Sequence, residues 1–431
     1  MEASWTIAHS RTIVDDDRRG AGLEARRIVA DHLRALYICY LSLDDPLVHS
    51  QVVAYLDGLT RRGHTVHLLT FDGDLSAQRR RELEQELAGR GISWHSLRYH
   101  KRPTLPATVY DALAGAVAAL RIMRRHRLTA IHARNHVPAA MALIVRRLTG
   151  CRLIFDLRGL MAEEYVDAGR WRRGGLPYRI TNWIQRAALD RADGIVMLTE
   201  AVRDYLFGTG TPTVPLAVIP CCADVHIGDG HGERARDIRG ELRLGDRPVM
   251  VYVGKFTGWY MDREMVEFYR SARGLQPDLL LLVLTQSDPS VIEIELRRHG
   301  IPRRDYVITR AEPADVGSYI EAAHFGISFV RPSLSKISSS PTKIAEYLAA
   351  GVPVVSTAIG DLPKLFADRQ LGVLVDDFSP VAYEAAVDAI EALARDHAAR
   401  DRCRAVAHQR LSLQEVGIPR YDRLYRAVAR R

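Results

Sequence analysis

The chain contains 431 residues, of which 47% are hydrophobic and 26% are charged, and its formal net charge is +8 at pH 7. This length exceeds one ordinary hydrophobic core, so we expect two domains of about 200 residues each. The chain has no run of about 18 apolar residues, which argues against a membrane-spanning segment. Its arginines are interleaved with acids along the chain, which argues against nucleic acid as a partner.

The first 32 residues are predicted to be an N-terminal extension. Residues 1–20 carry acids and lack the apolar core of a signal peptide, so we expect a cytoplasmic protein. The five cysteines show neither metal-ligand spacing nor a CxxC pair; they are Cys39, Cys151, Cys221, Cys222 and Cys403. This usage predicts buried, unpaired thiols in a reducing compartment.

Short apolar strands alternate with amphipathic stretches in two series. The first series is at residues 33–41, 64–71, 130–134, 151–157, 194–199 and 216–220, and the second runs from 247–254 to 372–376. This alternation predicts parallel sheets covered by helices on both faces. We predict an α/β fold of two doubly wound Rossmann-like domains, at 33–222 and 223–414, with a C-terminal helix at about 415–431 that packs back on the first. Ligands of such sheets bind in the cleft at the carboxyl ends of the strands.

Two loops of the second domain carry candidate ligand-binding residues. One opens with Gly254 and Lys255 after a strand, but it lacks the glycine spacing of a dinucleotide fingerprint. The other is a strand-to-helix connection that combines three cations with four hydroxyl side chains: Arg331, Lys336, Lys343, Ser338, Ser339, Ser340 and Thr342. Ser340 is placed to cap the following helix, and Pro341 to occupy its first position.

Lys343 lies in the first turn of that helix, where the helix dipole disfavours a cation by roughly 0.3–1 kcal/mol. A dianionic group in front of the helix would make this charge favourable. We therefore interpret the connection as an anion-binding site formed by amides, hydroxyls and cations. The alternative is a solvated loop.

Glu346 follows Lys343 by three residues and shares its helix face. A carboxylate accepts hydrogen bonds well from the 2′- and 3′-hydroxyls of a ribose. Together, Lys343 and Glu346 therefore suggest a nucleotide site, and two facing domains suggest transfer of a group attached to that nucleotide. The alternative is an intrahelical salt bridge between the two side chains.

The segment "SSSPTKIAEYLAAGVPVVSTAIGD", Ser338 to Asp361, resembles the C-terminal donor motif of the retaining GT-B glycosyltransferases of family 4. "RRGHTVHLLT", "ALDRADGIVMLTEAVRDYL" and "VIPCCADV" resemble other stretches of that family, and the resemblance extends over about residues 35 to 430. It implies a GT-B fold with a nucleotide-diphosphate sugar in the C-terminal domain and the acceptor in the N-terminal domain. It also implies a retaining reaction with no metal and no cofactor besides the donor, because basic side chains and helix dipoles stabilise the leaving group.

The resemblance assigns roles to the residues of the second domain. Lys255 and Lys343 are expected to stabilise the departing diphosphate, and Glu346 to hold the ribose. Ser338 stands where many family members carry a sugar-contacting glutamate. The remaining donor-binding candidates are Gly254, Arg331, Lys336, Ser338, Ser339, Ser340 and Thr342.

The first domain carries acceptor-side candidates in "IFDLRGLMAEEYVDAGRW", a strand and its exit loop that faces the reacting bond in the family. Arg158 is expected to contact the diphosphate or an anionic acceptor, and Asp156 or Glu163 to orient an acceptor hydroxyl. The alternative is a strand-end salt bridge between Asp156 and Arg158. No metal site is predicted, because no metal-type cluster accompanies His132 and the polar residues after it.

These features predict a glycosyltransferase of surface polysaccharide, glycoconjugate or natural-product biosynthesis. Its expected partners are a nucleotide sugar and an acceptor glycan, lipid-linked sugar or small-molecule alcohol. Three alternatives stay open: a nucleotide-sugar 2-epimerase, a phosphorylase of the same fold, and a non-catalytic nucleotide-sugar-binding partner subunit.

A lipid-linked acceptor would require peripheral contact with the inner membrane face. The candidate surface is residues 95–128, where Arg98, Lys101 and Arg102 precede an Ala-rich helix that ends in four arginines. The alternative is an ordinary domain helix with a solvated basic end.

Overall fold

The computed structural model describes residues 31–100, 102, 104–210, 212–225, 231–256, 258–367 and 369–431. Of the predicted N-terminal extension only Asp31 and His32 fall within these residues, and Lys101 lies outside them. The chain forms two parallel sheets, each with hydrophobic clusters on both faces. The predicted fold class, two doubly wound α/β domains, is confirmed.

The first sheet contains seven strands: β1 Arg34–Cys39, β2 Thr65–Asp72, β3 Ile92–Arg98, β4 Ala130–Arg134, β5 Arg152–Leu157, β6 Gly194–Met197 and β7 Leu216–Val218. All pair in parallel, in the order β3-β2-β1-β4-β5-β6-β7. Sequence analysis missed β3, because its edge sequence "ISWHSLR" mixes polar and apolar residues instead of forming an apolar run.

The helices of the first domain are α1 Pro46–Val48, α2 Ala54–Arg61, α3 Ala77–Gly89, α4 Thr104–His126, α5 His136–Thr149, α6 Met161–Asp167, α7 Leu176–Arg191 and α8 Glu200–Phe207. A wide helical turn, His49–Val53, joins α1 to α2. Helices α4, α5 and α7 pack side by side on one face of the sheet. Their outer surfaces therefore form one continuous side of the domain.

The second sheet contains β8 Val249–Val253, β9 Leu280–Leu284, β10 Tyr306–Thr309, β11 Phe325–Ser328, β12 Val354–Ser356 and β13 Gly372–Leu374. The parallel order is β10-β9-β8-β11-β12-β13. Its helices are α9 His231–Glu241, α10 Asp262–Leu275, α11 Pro289–Arg298, α12 Val316–Glu321, α13 Thr342–Ala349, α14 Leu362–Phe366, α15 Pro380–Arg395 and α16 His397–Val406. The sheet order reverses beside β8, so the loop after β8 opens where ligands of such sheets bind.

The chain returns to the first domain through α17, Ile418–Ala429. This helix packs its buried face, with Tyr421 and Tyr425, into the core of the first sheet. Gly58 of α2 leaves the space that the side chain of Ile418 fills. The two crossings between the domains run side by side, because Ala223 and Ser412 form a parallel bridge. The domains are thus joined by a paired connection.

One helix among the described residues, α4, is long and apolar enough to cross a membrane by length and composition. Part of this apolar character is used in packing: Gly115 lies against Met141 and Phe71. The rest faces outward, because Leu105, Val109, Leu113 and Val117 are exposed. Their spacing of four residues places them along one stripe of the helix.

Candidate active site

The cleft-facing end of the second sheet brings the loop after β8 against the first turn of α13. Gly254 has φ +127°, a backbone conformation that favours glycine. Its N–H donates to the carbonyl oxygen of Leu284 at 2.9 Å. A β-carbon at this position would lie 3.0 Å from Nζ of Lys343. The structure therefore places Gly254 directly beside Lys343.

The N-terminus of α13 lacks a side-chain cap. The prediction that Ser340 caps this helix is wrong: Pro341 is at the N-cap, and Oγ of Ser340 instead accepts a hydrogen bond from the Cys221 N–H at 3.2 Å. Proline cannot offer a side-chain acceptor, so the first-turn N–H groups of α13 keep their capacity to bind an anion.

Lys343 is buried, with 6% of its surface exposed, and its Nζ has no hydrogen-bond partner among the described residues. Nζ lies 3.9 Å from the ring centroid of Tyr260 and 4.2 Å from that of Tyr252. Burial lowers the pKa of Lys343 from 10.5 to about 7, although Glu346 and Asp262 act in the opposite direction. An anion in the cleft would supply the partner that this ammonium lacks.

Glu346 lies on the same face of α13 as Lys343, but no ion pair within 4.0 Å joins these two described residues. The alternative of an intrahelical salt bridge is therefore not observed. Burial raises the pKa of Glu346, and the charge of Lys343 partly offsets this effect. A partly buried carboxylate without an ion-pair partner remains available to hydrogen-bond donors such as a diol.

Lys336 is committed to contacts within the protein. Its Nζ lies 3.8 Å from the ring centroid of Trp259 and donates to Oε1 of Glu164, in the first domain, at 3.4 Å. Arg331 and Lys255 have exposed side chains. Lys336 therefore links the two domains, whereas the side chains of Lys255 and Arg331 are exposed to solvent.

The hydroxyl residues of the connection divide into two groups. Ser338 is buried and donates to the carbonyl oxygen of Ser335 at 2.7 Å, so its side chain completes a local turn. Ser340 serves the crossing near Cys221. Ser339 and Thr342 are partly exposed. Of the four predicted donor-binding hydroxyls, Thr342 lies closest in sequence to the Lys343 charge.

Sequence analysis missed the aromatic surroundings of Lys343. Tyr252 is the fourth residue of β8, and Tyr260 follows the loop after that strand, so only the fold shows that both rings lie against one ammonium. Asp262 was also missed; burial raises its pKa to about 6. The stretch "VYVGKFTGWYM" contains both tyrosines and was the available signal.

Asp156 is fully buried at the end of β5. Its Oδ2 accepts hydrogen bonds from the hydroxyls of Tyr37 and Tyr421 at 3.3 and 3.2 Å. Burial would raise its pKa, but Arg158, His132 and nearby Arg134 together hold it below the ordinary value. Direct orientation of an acceptor hydroxyl by Asp156 does not fit this burial; Asp156 positions its basic neighbours.

The salt bridge considered between Asp156 and Arg158 is present, with 3.7 Å between Oδ1 and Nη1. Arg158 also donates to Sγ of Cys221 at 3.4 Å. Even so, Nε of Arg158 and Nη1 of Arg134 are buried without hydrogen-bond partners among the described residues. Glu163 is paired with Arg173 and accepts from Tyr178 at 2.6 Å. Arg134 and Arg158 are thus ion-paired with Asp156, but their hydrogen-bonding capacity is not fully used among the described residues.

The two domains are closed on each other near the site. Asp361 of the second domain accepts hydrogen bonds from the N–H groups of Glu200 and Ala201, at 2.8 and 3.0 Å, and so caps α8 of the first. Thr199 donates to the carbonyl oxygen of Ile337 across the same boundary. A cavity of about 360 Å³ beside these contacts is lined by Ile344 and other residues, but not by Lys343. The cavity is also lined by Ser339, Ser340 and Pro341, so it borders the connection that leads into α13.

Two family models match the chain: the glycosyl transferase 4-like domain at residues 48–222 and glycosyl transferases group 1 at residues 247–396. The chain belongs to the family 4-like glycosyltransferases of the GT-B type. The predicted family and enzyme class are confirmed. The five cysteines of this glycosyltransferase are free and buried, as predicted.

Individual relatives agree with this assignment. The glycosyltransferase is 24% identical over 275 residues to the alpha-maltose-1-phosphate synthase of Mycobacterium tuberculosis, covering 58% of this chain and 69% of that protein. It is 25% identical over 239 residues to the D-inositol 3-phosphate glycosyltransferase of Corynebacterium glutamicum, covering 52% and 55%. Its fold matches that of Anabaena HepE, solved with UDP and glucose, with a TM-score of 0.66 and 12% identity over 91% and 99% of the chains.

Proposed function

We propose that this glycosyltransferase moves a sugar from a nucleotide-diphosphate sugar to an acceptor hydroxyl with retention of configuration. The observation that carries the proposal is the buried ammonium of Lys343, which has no hydrogen-bond partner among the described residues, at the uncapped N-terminus of α13. Amides at a helix N-terminus and a desolvated cation both favour a diphosphate. The structure of HepE with UDP and glucose supports the same class of donor.

In the proposed reaction, the acceptor oxygen bonds to the anomeric carbon as the bond from that carbon to the diphosphate breaks. A diphosphate oxygen takes the proton of the acceptor hydroxyl on the same face. Lys343 and the first-turn amides of α13 stabilise the charge that develops on the diphosphate, with Lys255 at the rim. Glu346 holds the ribose hydroxyls. Neither a metal nor another cofactor is part of this proposal.

The acceptor is proposed to carry an anionic group. Arg134 ends β4 and Arg158 follows β5, its neighbour in the sheet; both are ion-paired with Asp156, and each keeps a buried N–H group without a hydrogen bond among the described residues. A phosphate or carboxylate would satisfy these donors with charge-assisted hydrogen bonds. The names of the relatives support this class, since they specify maltose-1-phosphate and inositol 3-phosphate.

We propose that the protein is cytoplasmic. The side of the first domain formed by α4, α5 and α7 is proposed to make peripheral contact with an anionic membrane. The exposed stripe of α4 is accompanied on α7 by exposed Leu176, Ile180 and Trp183. Exposed arginines accompany both helices: Arg121, Arg124, Arg125 and Arg127 at the end of α4, and Arg179 and Arg186 on α7. Apolar side chains combined with cations are typical of helices that lie in a membrane interface.

The donor proposal is tested by thermal-shift titration with UDP, GDP, ADP and TDP. One nucleotide is expected to stabilise the protein, and NMR of the product from its sugar conjugate should show the donor's anomeric configuration retained. Conversion of the donor without acceptor would favour the 2-epimerase. Binding without turnover over a panel of phosphorylated acceptors would favour the partner subunit.

A further inference from the structure

Three histidines converge on the first domain, away from the cleft. His67 is on β2, His95 is on β3, and His126 is the last residue of α4. Nδ1 of His67 and Nε2 of His95 are 3.0 Å apart. The rings of His67 and His126 are 4.5 Å apart between centroids. One nitrogen from each ring lies within 4.8 Å of the other two.

The cluster is separate from the donor and acceptor sites. His67 is the third residue of an eight-residue strand whose carboxyl end faces the cleft. The carbonyl oxygen of His126 accepts from Arg34, the first residue of β1, at 2.8 Å. The histidines therefore lie toward the amino ends of the strands, whereas Arg134 and Asp156 lie at the carboxyl ends.

We propose that His67, His95 and His126 form a three-imidazole binding site for a divalent transition-metal ion, Zn²⁺ in the first place. Three protein nitrogens with a fourth position open to water are a common arrangement for zinc. Zinc–nitrogen bonds of 2.0–2.1 Å in a tetrahedron place the nitrogens about 3.3 Å apart. Nδ1 of His67 and Nε2 of His95, which share a hydrogen bond at 3.0 Å, are near this value, and each of these nitrogens lies within 4.8 Å of a nitrogen of His126. Metal binding would replace that hydrogen bond and draw the ring of His126 inward.

The ligand atoms define which ion fits. Arg34 and Arg125 place positive potential at His67 and His95, which opposes any cation, and the cluster itself supplies three imidazole nitrogens and no carboxylate. A site of neutral nitrogens suits Zn²⁺, Cu²⁺ or Ni²⁺ and disfavours Mg²⁺ or Ca²⁺, which require oxygen ligands. The partly exposed rings of His95 and His126 leave room for a water or hydroxide as the fourth ligand. The bound ion would fasten the end of α4 to the edge of the sheet.

The experiment uses the tag-free full chain, stripped with a chelator and equilibrated with ZnCl₂. Metal content after desalting is expected to be one zinc per chain, and the melting temperature is expected to rise by several degrees with zinc. His126→Gln and His95→Gln should each lose the bound zinc and the shift, whereas His299→Gln, on an unrelated helix end, should retain both. Magnesium should produce neither effect.

A spectroscopic readout distinguishes this site from loose surface binding. Co²⁺ in place of zinc is expected to give the intense visible absorption of a tetrahedral site, absent in His126→Gln. His126→Gln is expected to fold, since the hydrogen bond that Arg34 donates to this residue uses its backbone carbonyl oxygen. Equal zinc content in the wild type and both cluster variants, or no zinc in the wild type, would overturn the proposal. Nucleotide binding is independent of this outcome.

Discussion

Gly254 and Lys343 share one small space: a β-carbon on residue 254 would lie 3.0 Å from Nζ of the lysine. The absent side chain of Gly254 thus admits the ammonium to the mouth of the donor site. Positions 254 and 343 are 89 residues apart in the sequence. The packing of α13 against the loop after β8 brings them together.

Gly254→Ala is expected to weaken nucleotide binding by about tenfold or more, equivalent to about 1.4 kcal/mol. The added methyl group both displaces Lys343 and strains a backbone at φ +127°. Calorimetric titration with the nucleoside diphosphate measures the loss. Gly73→Ala is the matched control, because a β-carbon there meets nothing within 4 Å. Unchanged affinity in Gly254→Ala would separate this loop from the donor site.

Lys343→Met is expected to abolish most turnover, through a barrier higher by about 2–4 kcal/mol, because the leaving diphosphate loses a cation. Initial rates at saturating donor measure this effect. Lys364→Met is the control, since that lysine is largely exposed and contacts Asp204 at 3.5 Å. Near-normal turnover of Lys343→Met would contradict the anion-site interpretation.

The same Lys343→Met variant is expected to be more stable than the wild type without ligand. The pKa of Lys343 is about 7 in the folded protein against an ordinary 10.5. Between these values the unfolded chain binds a proton that the folded chain does not, so wild-type stability rises with pH across this window. The free energy of unfolding of the variant should therefore exceed that of the wild type by on the order of 1–4 kcal/mol below pH 7, and by less at high pH. Urea unfolding at both ends of the window tests this sign.

Glu346→Gln is expected to weaken binding of the nucleotide and of the nucleotide sugar alike, since a ribose contact is common to both. Measuring the 2′-deoxynucleotide and the ribonucleotide against both the wild type and the variant sharpens the test. The mutation should reduce the affinity for the 2′-deoxynucleotide less than the affinity for the ribonucleotide. If instead the variant changes only thermal stability, Glu346 has a structural role and the ribose lies elsewhere.

Membrane contact is expected to disappear when the apolar stripe of α4 is interrupted. Sedimentation with vesicles containing anionic lipid should capture the wild type at low salt and release it at moderate salt. Leu113→Glu should remain in the supernatant, while Val291→Glu, on an exposed helix of the second domain, should sediment like the wild type. Failure of the wild type to sediment at low salt would favour a soluble acceptor.

The strands of both sheets could be predicted because most of them are short apolar runs between helical stretches. β3 could not be predicted in this way. It is a strand at the edge of the sheet that needs only one buried face, so its sequence can be partly polar. Lys343 was identifiable from its position in a helix, where its charge conflicts with the dipole. The tyrosines around it were not, because the contact depends on how β8, its loop and α13 pack together.

Two other predictions failed for local reasons. Ser340 carries the chemistry of a cap, but the helix begins one residue later than predicted, and the hydroxyl accepts from the Cys221 N–H instead. Asp156 carries the chemistry of an acceptor-orienting group, yet it lies inside a ring of tyrosines and basic side chains. The three histidines of the cluster lie on β2, on β3 and at the end of α4. They come together through the pairing of the edge strand β3 with β2, which no spacing in the sequence shows.

Because Asp361 of the second domain caps α8 of the first, separation of the two domains would exchange these protein hydrogen bonds for hydrogen bonds to water. When the domains separate, the carboxylate and the two N–H groups of Glu200 and Ala201 each bind water instead of one another. Hydrogen bonds to a charged group each contribute about 1.5–3 kcal/mol. Asp361→Ala removes both of these bonds, so we expect it to favour separation of the domains without touching a reacting atom.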